Sequence, residues 1–340
     1  MHSPMAKISV LLPFYNPGPF FTEALESMIR QSFVDWELIL VNNASDEEST
    51  KTAHYFALRD KRIKLVHETE KGIVAALNTG LQHCEAAYIA RMDADDVSLP
   101  RRLELQYRLM EQNPHLDLCS GKVIHSSPDA QKTKGYALYV EWINSIVSCD
   151  QFRLYRFIES PLAHPSVMFR RSCVEKWGTY RQGDFPEDYE LWLRWMQQGA
   201  CMAKIPEVLL EWRDHPVRLS RSDARYHPDA FCAIRLQYLH QWLKENNPFY
   251  PDIAIWGAGK TARRQSRLLE KMGCRILYYI DVDLAKTRAH DCIHYSETPS
   301  TGNCFIVSLT GSRGAFAKIE AFLESKEYTN GKDFILAAGF

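Results

Sequence analysis

From Lys7 to Met92 the chain alternates short apolar runs with amphipathic stretches, and this alternation restricts the available folds more than any other feature. "KISVLLP" (Lys7–Pro13), "WELILV" (Trp36–Val41), "IKLV" (Ile63–Val66) and "AYIARM" (Ala87–Met92) read as buried strands. Between them "FTEALESMIRQS", "EESTKTAHYFALRD" and "GIVAALNTGLQHC" carry apolar residues at helical spacing. Strands alternating with helices imply right-handed crossovers and a mostly parallel sheet covered on both faces. Such sheets bind ligands beyond the carboxyl ends of their strands. "PFYN", "NNASD" and "DADD" follow the first, second and later strands, so the three polar clusters are expected at one rim.

Beyond Pro100 the pattern continues less regularly. "RRLELQYRLMEQN" reads as a helix with Pro at its start, "LDLCSGKVI" as a strand, and Tyr139 to Ile158 as aromatic, amphipathic helix. "PSVMFRRS" looks like a strand, "PEDYELWLRWMQQG" a helix closed by Gly199, and "EVLLEWRDHPVRLSR" a strand running into a basic loop. The helix "DAFCAIRLQYLHQWLKEN" leads to a linker near Asn246 to Asp252, rich in Pro and turn formers. From Ile253 a smaller β-α-β pattern starts, with "IAIWGAGKTARRQSRLLEKMG", "CRILYYIDVD", "NCFIVSL", "GAFAKIEAFLES" and "DFILAAG". The expected division is residues 1–225, a helix and linker over 226–250, and a small Rossmann-like α/β domain over 251–340.

Charge and cysteine content narrow the function. Lys plus Arg total 41 against 42 for Asp plus Glu, so no global field recruits nucleic acid. No apolar run approaches a membrane span and no signal-peptide core is visible, which points to a cytoplasmic protein. The nine Cys are scattered without a C-x-x-C pair, which fits reduced thiols rather than a zinc site or disulfide framework.

"ARMDADDVSLPRR" places Asp93, Asp95 and Asp96 directly after a buried run. Adjacent carboxylates repel unless a positive charge lies between them or water screens them. Asp93 and Asp95, one residue apart, suit Mg2+ or Mn2+ held jointly with substrate phosphates. A turn capping the next helix through Asp96 or Ser98 is compatible with the same residues.

Together "ISVLLPFYNPGPFFTEALESMIRQSF", "WELILVNNASDE", "GIVAALNTGL", "YIARMDADDVSLPRRL" and "PEDYELWLR" resemble a family 2 glycosyltransferase with the GT-A fold, over roughly Lys7 to Arg221. The resemblance implies a GT-A nucleotide-diphospho-sugar transferase fold with a Rossmann-like mixed sheet. It implies that Asp93 and Asp95 bind the divalent metal, Mn2+ or Mg2+, and the sugar-nucleotide diphosphate. Pro13, Tyr15 and Asn43 are implied near the nucleoside, and Lys71 and Asn78 near base and ribose; strand-end packing is the alternative for Tyr15, and a turn role for Asn42 and Asn43. Family members commonly carry an Asp pair where this chain has Asn42 and Asn43. Asn offers a donor as well as an acceptor, which leaves the base less defined, a UDP-sugar being expected.

In "GDFPEDYELWLRWMQQG" the resemblance makes Asp188 the catalytic base and Glu187 its acceptor-orienting neighbour. Asp188, Leu191, Trp192 and Trp195 share one helix face, and the helix start favours an ionised carboxylate. Helix capping is the alternative role. "EWRDHPVRLSR" resembles the segment that closes the site, making His215 a metal ligand and Arg213, Arg218 and Ser220 phosphate ligands. His164 matches a family position near the acceptor, or is a core histidine. The expected acceptor is a saccharide or a lipid-linked group. The stretch Trp142 to Phe157 suits either peripheral contact at the inner membrane face or ordinary packing.

"IWGAGKTA" reads G-x-G-x-x-A through Gly257, Gly259 and Ala262, with Asp281 and Asp283 after the next strand. A non-catalytic module for a nucleotide or partner is expected there, close packing of helix on sheet being the alternative role of the glycines. An inverting glycosyltransferase is the favoured reading; a sugar nucleotidyltransferase, a binding-only protein and an oxidoreductase are the rivals.

Overall fold

A computed structural model describes residues 6–126, 134–215, 218–283, 285, 291–311 and 314–337. It divides into two compact units. The first comprises Met1–Cys149, Leu162–Gly183 and Arg194–Asp223, and the second Asp150–Pro161, Asp184–Leu193 and Ala224–Phe340.

The first unit is built on strands β1 (Ile8–Phe14), β2 (Trp36–Asn42), β3 (Ile63–His67), β4 (Tyr88–Arg91), β5 (Val97–Ser98), β6 (Leu118–Ser126), β7 (Met168–Arg170) and β8 (Met202–Arg213). Their order is β3-β2-β1-β4-β7-β6-β8-β5. The first four are parallel, as the alternation predicts, and β7 then pairs antiparallel with both β4 and β6. The sheet is therefore mixed, in the manner of the GT-A fold. As far as Asp223 the helices are α1 (Phe21–Ile29), α2 (Glu47–Arg59), α3 (Ile73–His83), α4 (Arg102–Gln112), α5 (Lys134–Ser145), α6 (Cys149–Tyr155), α7 (Arg171–Trp177), α8 (Glu187–Gln197) and α9 (Leu219–Ser222); of these, α6 beyond Cys149 and α8 as far as Leu193 belong to the second unit.

Local chemistry explains these elements. Every residue of β1 and β2 is buried, as expected for central parallel strands. Asp46 caps α2 by accepting from the Ser49 amide at 2.8 Å. Gly80 lets α3 lie against the sheet, because a Cβ there would stand 2.1 Å from Leu11 Cδ1. One expectation fails in detail. "PSVMFRRS" contributes only Met168–Arg170 as strand, and from Arg171 the chain turns into α7.

The register sets the functional rim. Phe14 pairs with Asn42, and Leu11 with Arg91, so the loops after β1, β2 and β4 leave the sheet at one edge. The polar clusters share that edge.

The second unit holds α10 (Pro228–Asn246), α11 (Lys260–Lys271) and α12 (Ala315–Ser325), with strands β9 (Asp252–Trp256), β10 (Arg275–Asp281), β11 (Cys292–His294), β12 (Phe305–Ser308) and β13 (Phe334–Leu336). All are parallel, in the order β11-β10-β9-β12-β13. The last strand covers part of "DFILAAG"; Ala338 and Gly339 lie outside the described residues. Leu236, Leu239 and Leu243 of α10 are wholly buried in the same core as Ile253, Phe305 and Val307, and Phe157 and Tyr189 complete it. Among the described residues, no helix is long and apolar enough to cross a membrane. All nine cysteines are free thiols.

Candidate active site

The acidic cluster forms where β4 ends. Arg102, buried at the start of α4, donates to the carbonyls of Arg91 at 2.5 Å and Val167 at 3.3 Å, which fixes the backbone just before the loop. Arg91 reaches forward to Asp93, with Nη2 to Oδ1 at 2.6 Å. Asp96 is fully buried; one oxygen accepts from the Arg213 amide at 2.8 Å and the other, Oδ2, has no hydrogen-bond partner among the described residues. Asp95 Oδ2 lies 2.8 Å from His215 Nε2. One carboxylate oxygen each from Asp93, Asp95 and Asp96 falls within a common 4.8 Å.

Three carboxylates this close cannot all ionise without a partner charge. Burial, then repulsion from Asp95 and Asp93, pushes the Asp96 carboxyl well above the usual range. Burial also opposes ionisation of Asp95, but the His215 hydrogen bond and the Arg218 charge outweigh it and hold that pKa below its ordinary value. The donor set suits a hard dication: oxygens within reach of one another, one buried oxygen lacking a donor, and an imidazole at the edge.

Cationic side chains stand around the cluster. Arg213 bonds Glu23 Oε2 at 2.6 Å and lies over the Phe20 ring at 5.1 Å. The Phe20 ring also packs against His215, with centroids 5.1 Å apart. Arg218 donates to the Tyr136 hydroxyl at 2.9 Å and stacks over Trp212 at 4.7 Å. Burial works against its charge, but Tyr136 and the three carboxylates raise its pKa above the usual guanidinium value. Ser220 lies in α9; Pro216 and Val217 of the same basic loop lie outside the described residues.

Along the rim, Pro13 is buried within β1, whereas Tyr15 is 54% exposed with Lys71 Nζ 5.4 Å from its ring centre. The Asn43 amide is engaged by backbone: Nδ2 donates to Glu70 O at 2.7 Å, and Oδ1 accepts from the Gly72 amide at 2.8 Å. Asn42 bonds Thr50 Oγ1 and the Ser45 amide, both at 2.9 Å. Asn78 clasps the Tyr180 backbone through both ends of its amide. These asparagines therefore shape the loops, while Tyr15 and Lys71 present the open surface. His164 is buried against the Tyr180 hydroxyl at 2.8 Å, and burial, followed by the Arg91 charge, pushes its pKa well below the ordinary imidazole value.

Glu187 and Asp188 open α8 and belong to the second unit. Glu187 is buried, and both its oxygens accept from the Tyr226 hydroxyl at 2.8 Å, with Arg225 at 3.9 Å. Asp188 is half-buried, and its Oδ1 accepts from the Tyr189 amide at 2.7 Å. The expected apolar stripe is wider than a stripe: Tyr189, Leu191, Trp192, Leu193 and Trp195 are all buried, as is Glu190, bonded by Tyr238 at 2.6 Å.

Sequence reasoning missed Arg91 and Tyr136. Arg91 had a local signal, a lone charge within an apolar strand two residues before an acid. Tyr136 meets Arg218 across 82 positions and had none.

Comparison with known proteins identifies the family and the fold. The profile described as Glycosyl transferase family 2 matches residues 9–178. The O-antigen biosynthesis glycosyltransferase WbnJ of Escherichia coli is 32% identical over 234 residues, covering 67% of this chain and 87% of that protein. The amylovoran biosynthesis glycosyltransferase AmsE of Erwinia amylovora is 32% identical over 209 residues, covering 60% of this chain and 75% of that protein. Among solved structures, S. aureus TarS 1-349 in complex with UDP-GlcNAc superposes with a TM-score of 0.55 at 15% identity, covering 78% of this chain and 71% of that one. At that identity the likeness concerns the fold.

Proposed function

This chain belongs to glycosyltransferase family 2, and on that premise we propose that it moves a sugar from a nucleoside-diphosphate donor, a UDP-sugar, to an acceptor hydroxyl with inversion. The carboxylate cluster at the rim carries the proposal, because its repulsion calls for a positive charge at the place where a diphosphate would leave. Asp93, Asp95 and His215 would hold Mn2+ or Mg2+, which supplies positive charge to the departing nucleoside diphosphate when bound. Arg213 and Arg218 suit the diphosphate by their planar forks. Tyr15 and Lys71 present a ring and a cation to the nucleoside, with Pro13, Asn43 and Asn78 shaping the walls around it.

Asp188 takes the acceptor proton as the hydroxyl oxygen attacks the anomeric carbon. The bond to the diphosphate breaks on the opposite face, which inverts the carbon. Glu187, held by Tyr226, orients the acceptor side. The named relatives act in O-antigen and amylovoran biosynthesis, and we propose a comparable polysaccharide or glycoconjugate product here. The acceptor is a saccharide or lipid-linked group met in the cytoplasm, at the inner face of the membrane. We also propose a transferase domain over 1–225, a connecting helix and linker over 226–250, and a small α/β domain over 251–340 that leans on α10.

A screen of transfer across UDP-, GDP- and dTDP-sugars with Mn2+ or Mg2+, in wild type and Asp188→Asn, tests this. Transfer from one sugar nucleotide, dependent on the ion and reduced at least a hundredfold in Asp188→Asn, is expected. Undiminished transfer by that variant would overturn the assignment of the base.

A further inference from the structure

A cavity of about 570 Å3 lies wholly within the second unit at the carboxyl ends of β9, β10 and β12. It is of the size that holds small organic ligands, and it sits where parallel sheets bind them. Its walls combine apolar surface from Val282, Leu309 and Ile319 with two lysines, Lys260 and Lys318. Both lysines are exposed, and among the described residues neither forms an ion pair. The one carboxylate in the wall, Asp281, is turned to backbone: Oδ2 accepts from the Ala258 amide and Oδ1 from the Asp283 amide, at 2.8 and 3.0 Å. Asp281 therefore braces the loop that opens the cavity, while the lysines leave it positive.

The two loop glycines differ in a telling way. Gly257 has φ +113°, and a Cβ there would meet Thr310 Oγ1 at 2.9 Å, so the fold itself requires glycine. Gly259 has φ −70° and ψ 168°, a conformation open to any residue, and a Cβ there would meet nothing within 4 Å. It is also the N-cap of the twelve-residue α11, where Ser or Asp would satisfy an amide, yet no side chain caps this helix. Neither backbone conformation nor packing accounts for glycine at 259. Space kept clear over the helix start, inside a cavity with two lysines, does account for it.

We propose that this cavity is a nucleotide-binding site, separate from the sugar-donor site of the first unit. The ligand's phosphate meets the first amides of α11 and the two ammonium groups, and its base and ribose lie along the apolar wall. The volume and that wall favour a nucleotide over a free phosphate.

Gly259→Asp separates this reading from a structural one. It places a carboxylate in open space at a favourable N-cap, so the fold should melt no lower than wild type while phosphate is repelled. Calorimetric titration of the full chain with ADP, UDP, GDP, NAD, pyrophosphate and phosphate is run in wild type, Asp93→Asn/Asp95→Asn and Gly259→Asp. The proposal predicts that one nucleotide binds even in Asp93→Asn/Asp95→Asn, and at least tenfold more weakly in Gly259→Asp. Lys260→Glu/Lys318→Glu, which alters only exposed side chains, should give the same loss, and it decides the matter should Gly259→Asp fold poorly. Absence of any nucleotide binding in Asp93→Asn/Asp95→Asn, or binding indifferent to the cavity variants, would overturn the proposal. So would pyrophosphate or phosphate binding as tightly as every nucleotide.

Discussion

Asp96 shows how much one buried side chain can encode. Its folded pKa is raised by burial and by two acidic neighbours, so without a cation it retains a proton that the unfolded chain would release. Between the unfolded carboxylate pKa and the raised folded value, the native state binds the extra proton, and stability must fall as pH rises. Asp96→Asn removes that dependence while keeping an oxygen for the Arg213 amide. In chelator, the variant is expected to melt above wild type at neutral pH, with the gap narrowing toward pH 5; thermal unfolding across that range checks it. A constant gap would contradict the account. The acidic cluster was legible because it follows a buried strand in a sheet whose other rim loops are also polar, although a turn would use the same residues. The engagement of Asn43 and Asn78 with backbone was not legible, since an amide that binds a base and one that pins a loop are the same residue in sequence.

At the scale of elements, what could be read depended on length and locality. The strands of the first half and α3 announced themselves by unbroken apolar runs and helical spacing. β5, two residues long, offers too little pattern to find, while β7 is legible within "PSVMFRRS" but over too long a stretch, because "FRRS" conceals the start of α7. The contact between α3 and the sheet makes a prediction of its own. Gly80→Ala would gain about 1 kcal/mol of helix propensity but would drive a methyl to 2.1 Å from Leu11 Cδ1 and 2.9 Å from Val41 Cγ2. Both neighbours are wholly buried on central strands, so overpacking of about 1–3 kcal/mol should prevail. Denaturant unfolding should show net destabilisation, and an unchanged midpoint would mean that Leu11 relaxes freely.

For the whole molecule, sequence separated the two patterns but not the way their cores are assembled. α10 reads as a helix before a linker, yet Leu236, Leu239 and Leu243 sit in the second unit's core with Ile253 and Phe305. Pairings of that kind join residues far apart in the chain, which local periodicity does not record. A fragment from Ile253 to Phe340 exposes the surface those leucines cover, and should melt below one beginning at Tyr226. Circular dichroism melts of the two fragments test this, and equal stability would show that α10 is dispensable to the small domain.

The central claim is that the carboxylates after β4 hold a dication on which donor binding depends. Calorimetric titration of Mn2+ with a panel of UDP-, GDP- and dTDP-sugars, in wild type and Asp95→Asn, addresses it most directly. The account predicts that one sugar nucleotide binds wild type at least tenfold more tightly with Mn2+ than with chelator, and that Asp95→Asn abolishes this enhancement while still unfolding cooperatively in chelator. Sugar-nucleotide binding that is equally tight with and without the ion, or an enhancement unchanged in Asp95→Asn, would contradict it.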